Sequence, residues 1–394
     1  MGMGTNMRVI YTTASHLGGT GLSKVAFHAV RAIYRDGGLV RAMFYRNKQN
    51  EVPKKYLKRI IFQPAKLFSG LSSRYYYTMK RIWLDWKAAR YILKQSCDIY
   101  HGWTHESLRS IRAAKQQGAI AIVDRGYAHP LYSHRILEEE YQIYGIPRDI
   151  EAPPKWLIPF DHWRREKDEA LKEFDEADYV FVPSQFCFDS FVSEGFPREK
   201  LVMIPRGFDP SIFKPLPRSE ETFRVIFVGL LTVRKGLKYL LEAWEQMALP
   251  NAELLLVGTL HEELDEFLAP YLKRNDVRHE AFTANPAALY NSADVFVFPS
   301  LDEGSAKVTY EAMACGLPVI TTPNSGSLVR DGKDGFIVPI REVEPLVEKI
   351  KLFYDDRALV ASMGVAAREY INEFTWDRYE RVLIEKYKEL LRKR

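Results

Sequence analysis

The chain has little of what marks a secreted or membrane-spanning protein. It holds three cysteines in 394 residues, Cys97, Cys187 and Cys315, widely spaced and without metal-ligand spacing. So few exclude a disulfide scaffold and predict reduced thiols in a cytosolic compartment. No apolar run is long enough to cross a bilayer. The longest uncharged stretch, residues 312–329, contains two Gly and two Pro and reads as helix, turn and strand. The opening, MGMGTNMRVIYTT, has no apolar signal core and runs directly into a strand. There is no repeat and no low-complexity tract. What is present is an ordinary globular composition in a chain too long for one hydrophobic core, so two domains are expected.

The net charge of +5 conceals an asymmetry. Residues 41–96 carry 14 Lys or Arg against Glu51 and Asp85, a local +12, which leaves −7 for the remainder. The same segment is aromatic, with Tyr75, Tyr76, Tyr77, Trp83, Trp86 and Tyr91 among others. Ile82, Trp83 and Trp86 share a helical face, with Lys80, Arg81, Lys87 and Arg90 nearby. A solvated cover over the core accounts for this pattern. So does docking on an anionic membrane surface or a lipid-linked acceptor. Nucleic-acid binding lacks any accompanying recognition motif.

Along the chain, short apolar runs alternate with helical patterns. Strands are expected at 7–14, 98–103, 119–123, 179–182 and 201–204, and again at 223–229, 254–257, 277–281, 295–298, 319–321 and 336–338. Helices are expected at 22–35, 136–178 in two pieces, 237–247, 262–274, 286–291, 305–315 and 376–394. The Pro-rich polar stretch 205–221 reads as the linker. This order describes two doubly wound α/β domains. Gly18-Gly19-Thr20-Gly21, between the first strand and helix, suits close backbone approach to a phosphate or sugar, and equally suits a plain tight turn. His101 and His105 stand four apart beside Glu106, a spacing known from zinc pairs, but no third ligand is spaced for them. His129, in a charged loop after the 119–123 strand, fits a contact to a substrate hydroxyl or an ordinary satisfied histidine.

The most informative stretch is 295–320, VFVFPSLDEGSAKVTYEAMACGLPVI. It reads as strand, loop, helix, turn, strand, with Ser305 as the expected helix cap. Glu303 lies in the loop and Glu311 about two turns into the helix, and free helix amides lie between them. A diphosphate resting on those amides, a diol on Glu311 and a second polyol on Glu303 together describe a nucleotide sugar. Two glutamates eight residues apart also occur by chance.

Four stretches together resemble family 4 of the glycosyltransferases. They are GLLTVRKG (229–236), EGSAKVTYEAMACGLPVI (303–320), ADYVFVPSQF to VMIPRGFD (177–209) and GGTGLSKVAFHAV (18–30). DRGYAHP and ILEEEYQIYGI resemble one bacterial branch of it. The resemblance covers nearly the whole chain and is weakest at 41–96. It implies the GT-B fold: two facing Rossmann-like domains (1–208 and 209–374) with an interdomain cleft, and a C-terminal helix at 375–394 packing back on the first. It implies retaining transfer of a hexose from a nucleoside diphosphate sugar, UDP favoured, to a glycan or lipid-linked acceptor.

By the same resemblance Lys235 and Arg234 neutralise the departing diphosphate, and Glu311 holds the ribose. Glu303 and the amides of Ser305, Ala306, Lys307 and Val308 hold the sugar and phosphates. Gly229, Phe282, Gly18 and Gly19 complete the donor site. His129 is the first-domain catalytic candidate, and His101 and Arg125 line the acceptor side of the cleft. No metal or other cofactor is expected, in keeping with the lack of any Asp-x-Asp motif. The expected partners are a nucleotide sugar, a glycan or lipid-linked acceptor and an anionic membrane surface at 41–96, not nucleic acid. The expected location is cytoplasmic, peripheral at the inner membrane face.

There are departures from the family pattern. Leu230 stands where Arg is frequent, with Arg234 or Arg206 as substitutes. Trp103 and Arg125 stand where His is common, and Ser305-Ala306-Lys307 replaces Phe-Gly-Leu. A nucleotide-sugar epimerase, or a non-catalytic member that binds sugar or lipid, are the alternative readings.

Overall fold

The computed structural model describes residues 7–61, 73–146, 162–217, 221–281 and 285–394, apart from the side chains of 73–74 and 162–166. Phe282 therefore lies outside the described residues.

Two parallel sheets organise the chain. The first contains β1 (Val9–Thr12), β2 (Leu39–Phe44), β3 (Leu57–Arg59), β4 (Ile99–Trp103), β5 (Ile120–Asp124), β6 (Tyr179–Val182) and β7 (Leu201–Met203), in the order β3-β2-β1-β4-β5-β6-β7. The second contains β8 (Phe223–Val228), β9 (Ala252–Val257), β10 (Val277–Glu280), β11 (Val295–Phe298), β12 (Val319–Thr321) and β13 (Gly335–Ile337), in the order β10-β9-β8-β11-β12-β13. Central strands such as β1, β5 and β11 are buried along their whole length. That explains why they read as continuous apolar runs rather than as alternating ones.

The order reverses direction between β1 and β4 and between β8 and β11. Ligands of doubly wound sheets collect at such points, beyond the carboxyl ends of the strands.

The helices are α1 (Leu22–Arg35), α2 (Ser73–Ile92), α3 (Leu108–Gln116), α4 (Pro130–Tyr144), α5 (His162–Glu176), α6 (Gln185–Ser193), α7 (Leu237–Met247), α8 (Asp265–Leu268), α9 (Pro286–Asn291), α10 (Lys307–Ala314), α11 (Glu344–Asp355), α12 (Arg357–Ile371) and α13 (Trp376–Arg392). The 262–274 helix is interrupted. Only Asp265–Leu268 is α-helical, flanked by 3₁₀ turns, and Pro270 opens the second of these. Proline removes the amide that a continuing helix needs.

Two helices sit away from their sequence neighbours. Trp376, Tyr379, Leu383, Tyr387 and Leu390 recur at helical spacing along α13 and enter the core of the first domain beside Val25, Ala29 and Val30 of α1. The chain thus crosses between domains twice, and the crossings lie side by side. The Phe208 amide donates to the Phe374 carbonyl at 3.0 Å, and Gly207 packs on the Trp376 backbone.

α4 belongs by sequence to the first domain but docks on the second. Ile136 joins the second domain's core. The fully buried Glu140 accepts from the Tyr239 hydroxyl at 2.9 Å and from Arg341 at 2.8 Å. Arg341 also reaches the Ile136 carbonyl at 2.8 Å.

Candidate active site

β8 ends at Val228, and the chain turns through 229–236 before α7 begins. Gly236 makes the turn possible. Its φ is +68°, a left-handed conformation that costs glycine nothing. A β-carbon there would also overlap the Pro299 carbonyl oxygen. The turn lies against the loop after β11. The Leu301 amide donates to the Arg234 carbonyl at 3.0 Å. Arg234 donates through Nε to the Asp302 carbonyl at 2.6 Å and pairs with the Asp302 carboxylate at 2.8 Å. The Lys235 ammonium pairs with the Glu303 carboxylate. Burial and then the Arg234 cation push Lys235 down to about 7, while Asp302 opposes them.

The helix after this loop begins two residues later than Ser305. Ala306 is its cap residue and makes no side-chain cap bond. The Ser305 hydroxyl is instead 3.0 Å from the Tyr310 hydroxyl. The Ala306 amide donates to the Ser325 carbonyl at 3.0 Å, which removes it from the expected phosphate-binding set. Lys307 contributes its side chain instead. Its ammonium donates to the Gly21 carbonyl at 3.3 Å and lies 5.5 Å from the Trp376 ring centre, so it spans the cleft to the glycine loop and to α13. Burial, followed by Arg206 and Lys24, lowers it to about 8. Glu311 accepts from the Tyr290 hydroxyl at 3.0 Å. Burial raises its carboxyl to about 7, against the pull of Tyr290 and Lys307.

These elements enclose a cavity of about 840 Å³. Gly229, Arg234, Lys235, Glu303, Ser305, Ala306, Lys307 and Val308 all line it, as does the half-exposed Leu230. The N-terminal glycines lie at its margin, where Gly21 meets Lys307. Gly18 and Gly19 are not in the lining; both pack near Lys48. Glu311 stands outside it, one turn beyond Lys307.

A second cavity of about 450 Å³ adjoins the first, and Arg234 and Leu137 line both. Its other walls come chiefly from the first domain, with Arg125, His105, Trp103 and Arg81 among them. Asp302 joins from the second domain, and the Ser133 hydroxyl donates to it at 2.9 Å. Sequence reading did not assign Asp302 or Ser133 a role. For Asp302 the signal was its place beside Glu303 in an otherwise short loop.

Two expected histidines do not reach the cleft. His129 is buried against Phe191, with ring centres 4.9 Å apart, and Phe174; burial lowers it to about 4. It sits at the N-terminus of α4 and lines neither cavity, so it is not placed to touch substrate. His101 is fully buried and bonded through Nδ1 to the Tyr387 hydroxyl at 2.5 Å, inside the contact between α13 and the first domain. Arg206 is also unavailable as a replacement phosphate ligand. It is buried and bonded to Asp124 at 2.7 and 3.3 Å. Arg125 does line the first-domain cavity, as expected. No cluster of metal-ligating side chains occurs among the described residues.

Residues 222–356 match the family model described as glycosyl transferases group 1. That match lies within the second domain, and the whole chain has the GT-B arrangement of two facing Rossmann-like domains. The chain is similar to the capsular polysaccharide biosynthesis glycosyltransferase CapM of Staphylococcus aureus, with 31% identity over 41% of this chain and 45% of that protein. The matched stretches span about half the length of such curated relatives. Among solved structures, sucrose-phosphate synthase from Thermosynechococcus elongatus superposes with a TM-score of 0.69 at 20% identity, over 98% of this chain and 100% of that one. Anabaena HepE in complex with UDP and glucose gives 0.66 at 17% identity, over 97% and 100%.

Proposed function

We propose that this protein is a glycosyltransferase that takes a hexose from a UDP-sugar and delivers it, with retained anomeric configuration and without a metal ion, to a glycan or lipid-linked acceptor. The observation that carries the reading is the convergence of Arg234, Lys235 and Glu303 on one cleft cavity large enough for a nucleotide sugar. HepE, a structural neighbour, was solved with UDP and glucose. In the proposed step the bond from the sugar's anomeric carbon to the β-phosphate oxygen breaks, and a bond to the acceptor oxygen forms on the same face. The acceptor's proton passes to the departing phosphate. Lys235 and Arg234 take up the charge that develops on the diphosphate in a site closed to bulk water. Glu303 holds sugar hydroxyls, and Glu311 holds the ribose.

The test is product release from UDP-, GDP- and ADP-hexoses in the presence of a chelator, with mixed cell-envelope glycolipids as acceptors. Acceptor-dependent release from one donor supports the reading. Donor conversion without acceptor points to an epimerase, and no nucleotide binding at all points to a non-catalytic member.

We also propose that α2 rests on an anionic membrane. Tyr77, Trp86 and Leu93 are exposed large apolar side chains on or just beyond it. Lys87 lies 4.7 Å from the Trp83 ring centre, and Arg90 4.8 Å from that of Trp86. Aromatic side chains flanked by cations suit the boundary between headgroup and acyl chain. No described helix is long and apolar enough to cross a membrane.

A further inference from the structure

The 450 Å³ cavity has a charge that the donor does not explain. Its two acids are each engaged: Asp124 by Arg206 at 2.7 Å, and Asp302 by Arg234 at 2.8 Å. Arg81, Arg125 and Lys167 line it as well, so the described lining carries more positive charge than negative. Arg125 is 4% exposed and set in the wall, with Nε donating to the Ala128 carbonyl at 3.1 Å and Nη1 3.2 Å from His105 Nε2. An arginine can only donate, so Nε2 is the acceptor in that contact.

His105 is held at φ +74°, a conformation that a non-glycine residue keeps only where its surroundings enforce it. The enforcing group is Glu173. It accepts the His105 amide at 2.6 Å and the Ser107 amide at 2.8 Å. A strained loop is thus fastened where its imidazole orients a buried cation. Arg81 further links this cavity to a smaller one containing Lys80 and His16.

We infer that the acceptor is anionic and carries a phosphate group, which Arg81, Arg125 and Lys167 receive in this cavity beside the transferred sugar. The inference rests on the transferase reading and names its acceptor class. A sugar phosphate and a lipid diphosphate-linked sugar share this chemistry.

The experiment is a two-stage calorimetric titration. UDP is added first, to fill the donor cavity, and inorganic pyrophosphate second. A second binding event is expected on wild type. Arg81→Gln and Lys167→Gln, on the cavity's outer wall, should weaken it about tenfold each while leaving UDP affinity within about twofold. No second event, or one untouched by both variants, overturns the proposal. Failure of UDP to bind in the first stage removes the donor reading and this proposal with it, and is seen before pyrophosphate is added. Competition then separates the sources. Displacement of pyrophosphate by glucose 1-phosphate indicates a soluble acceptor; displacement only by a short prenyl diphosphate indicates a lipid-linked one. Equal displacement by neutral glucose overturns the role of charge.

Discussion

Gly304 and Gly126 meet backbone to backbone across the domain interface. A β-carbon on Gly304 would overlap the Gly126 carbonyl oxygen. The Gly304 carbonyl accepts from the Ser184 hydroxyl at 2.6 Å, again across the interface. Gly304 follows Glu303 directly, so the approach of the domains and the placement of the Glu303 carboxylate share one turn of chain. Gly304→Ala should oppose the closed arrangement by about 1–3 kcal/mol. Turnover should fall about 5- to 150-fold, with UDP affinity changed much less. Small-angle scattering should show a larger radius of gyration for the variant. Full activity in a variant with unchanged dimensions would show that this contact is not part of the acting state.

Glu303 should matter to the chemical step more than to nucleotide affinity. Its carboxylate pairs with the Lys235 ammonium, and under the proposed function it faces the donor sugar. Glu303→Gln keeps the size and loses the charge. A fall in kcat of about 100-fold, with UDP affinity within a few-fold of wild type, is the expected result. Equal losses in kcat and in UDP binding would mean that Glu303 acts only by orienting Lys235.

Glu311 gives the protein a pH signature. Its carboxyl is raised from 4.5 to about 7, chiefly by burial. The folded state therefore binds the proton more tightly than the unfolded chain. The stability this supplies is complete below about pH 4.5 and is lost as pH rises through about 7. Glu311→Gln removes the dependence. Without ligand the variant should melt above wild type near pH 8, and the gap should close toward about pH 5. Melting curves at a series of pH values decide it; a gap that is constant with pH would place Glu311 in a more solvated setting.

The α2 surface should bind vesicles by charge. Co-sedimentation is expected with anionic vesicles, fading as salt rises, and not with neutral ones. Lys87→Glu with Arg90→Glu should weaken it at least several-fold, at about 1 kcal/mol for each surface cation removed. Equal binding to neutral vesicles would count against docking by charge, and no binding to either would leave the segment as a cover over the core.

Much of this architecture is legible in the sequence because parallel strands buried on both faces leave short apolar runs between glycine turns. β2 and β3 are not. Arg41 interrupts the first, reaching the Tyr91 hydroxyl at 3.0 Å, and the second is the three-residue edge strand LKR. Residues 229–236 and 303–308 are legible as neighbours in one cavity because the loops that place them are local. The histidines were misread because burial is not local. Phe191 and Tyr387, which enclose His129 and His101, lie 62 and 286 residues further along. The docking of α4 on the second domain is hidden for the same reason, since Arg341 meets Glu140 from 201 residues away.

The central claim is that Arg234 and Lys235 bind a nucleoside diphosphate without a metal. Calorimetric titration of UDP, and separately of uridine, into wild type and Lys235→Met with chelator present tests it most directly. The account predicts that UDP binds wild type and loses about 10- to 100-fold in the variant, from the loss of charge-assisted hydrogen bonds, while uridine binds both proteins equally. Equal UDP affinity in wild type and Lys235→Met, or UDP binding that requires added metal, would contradict it.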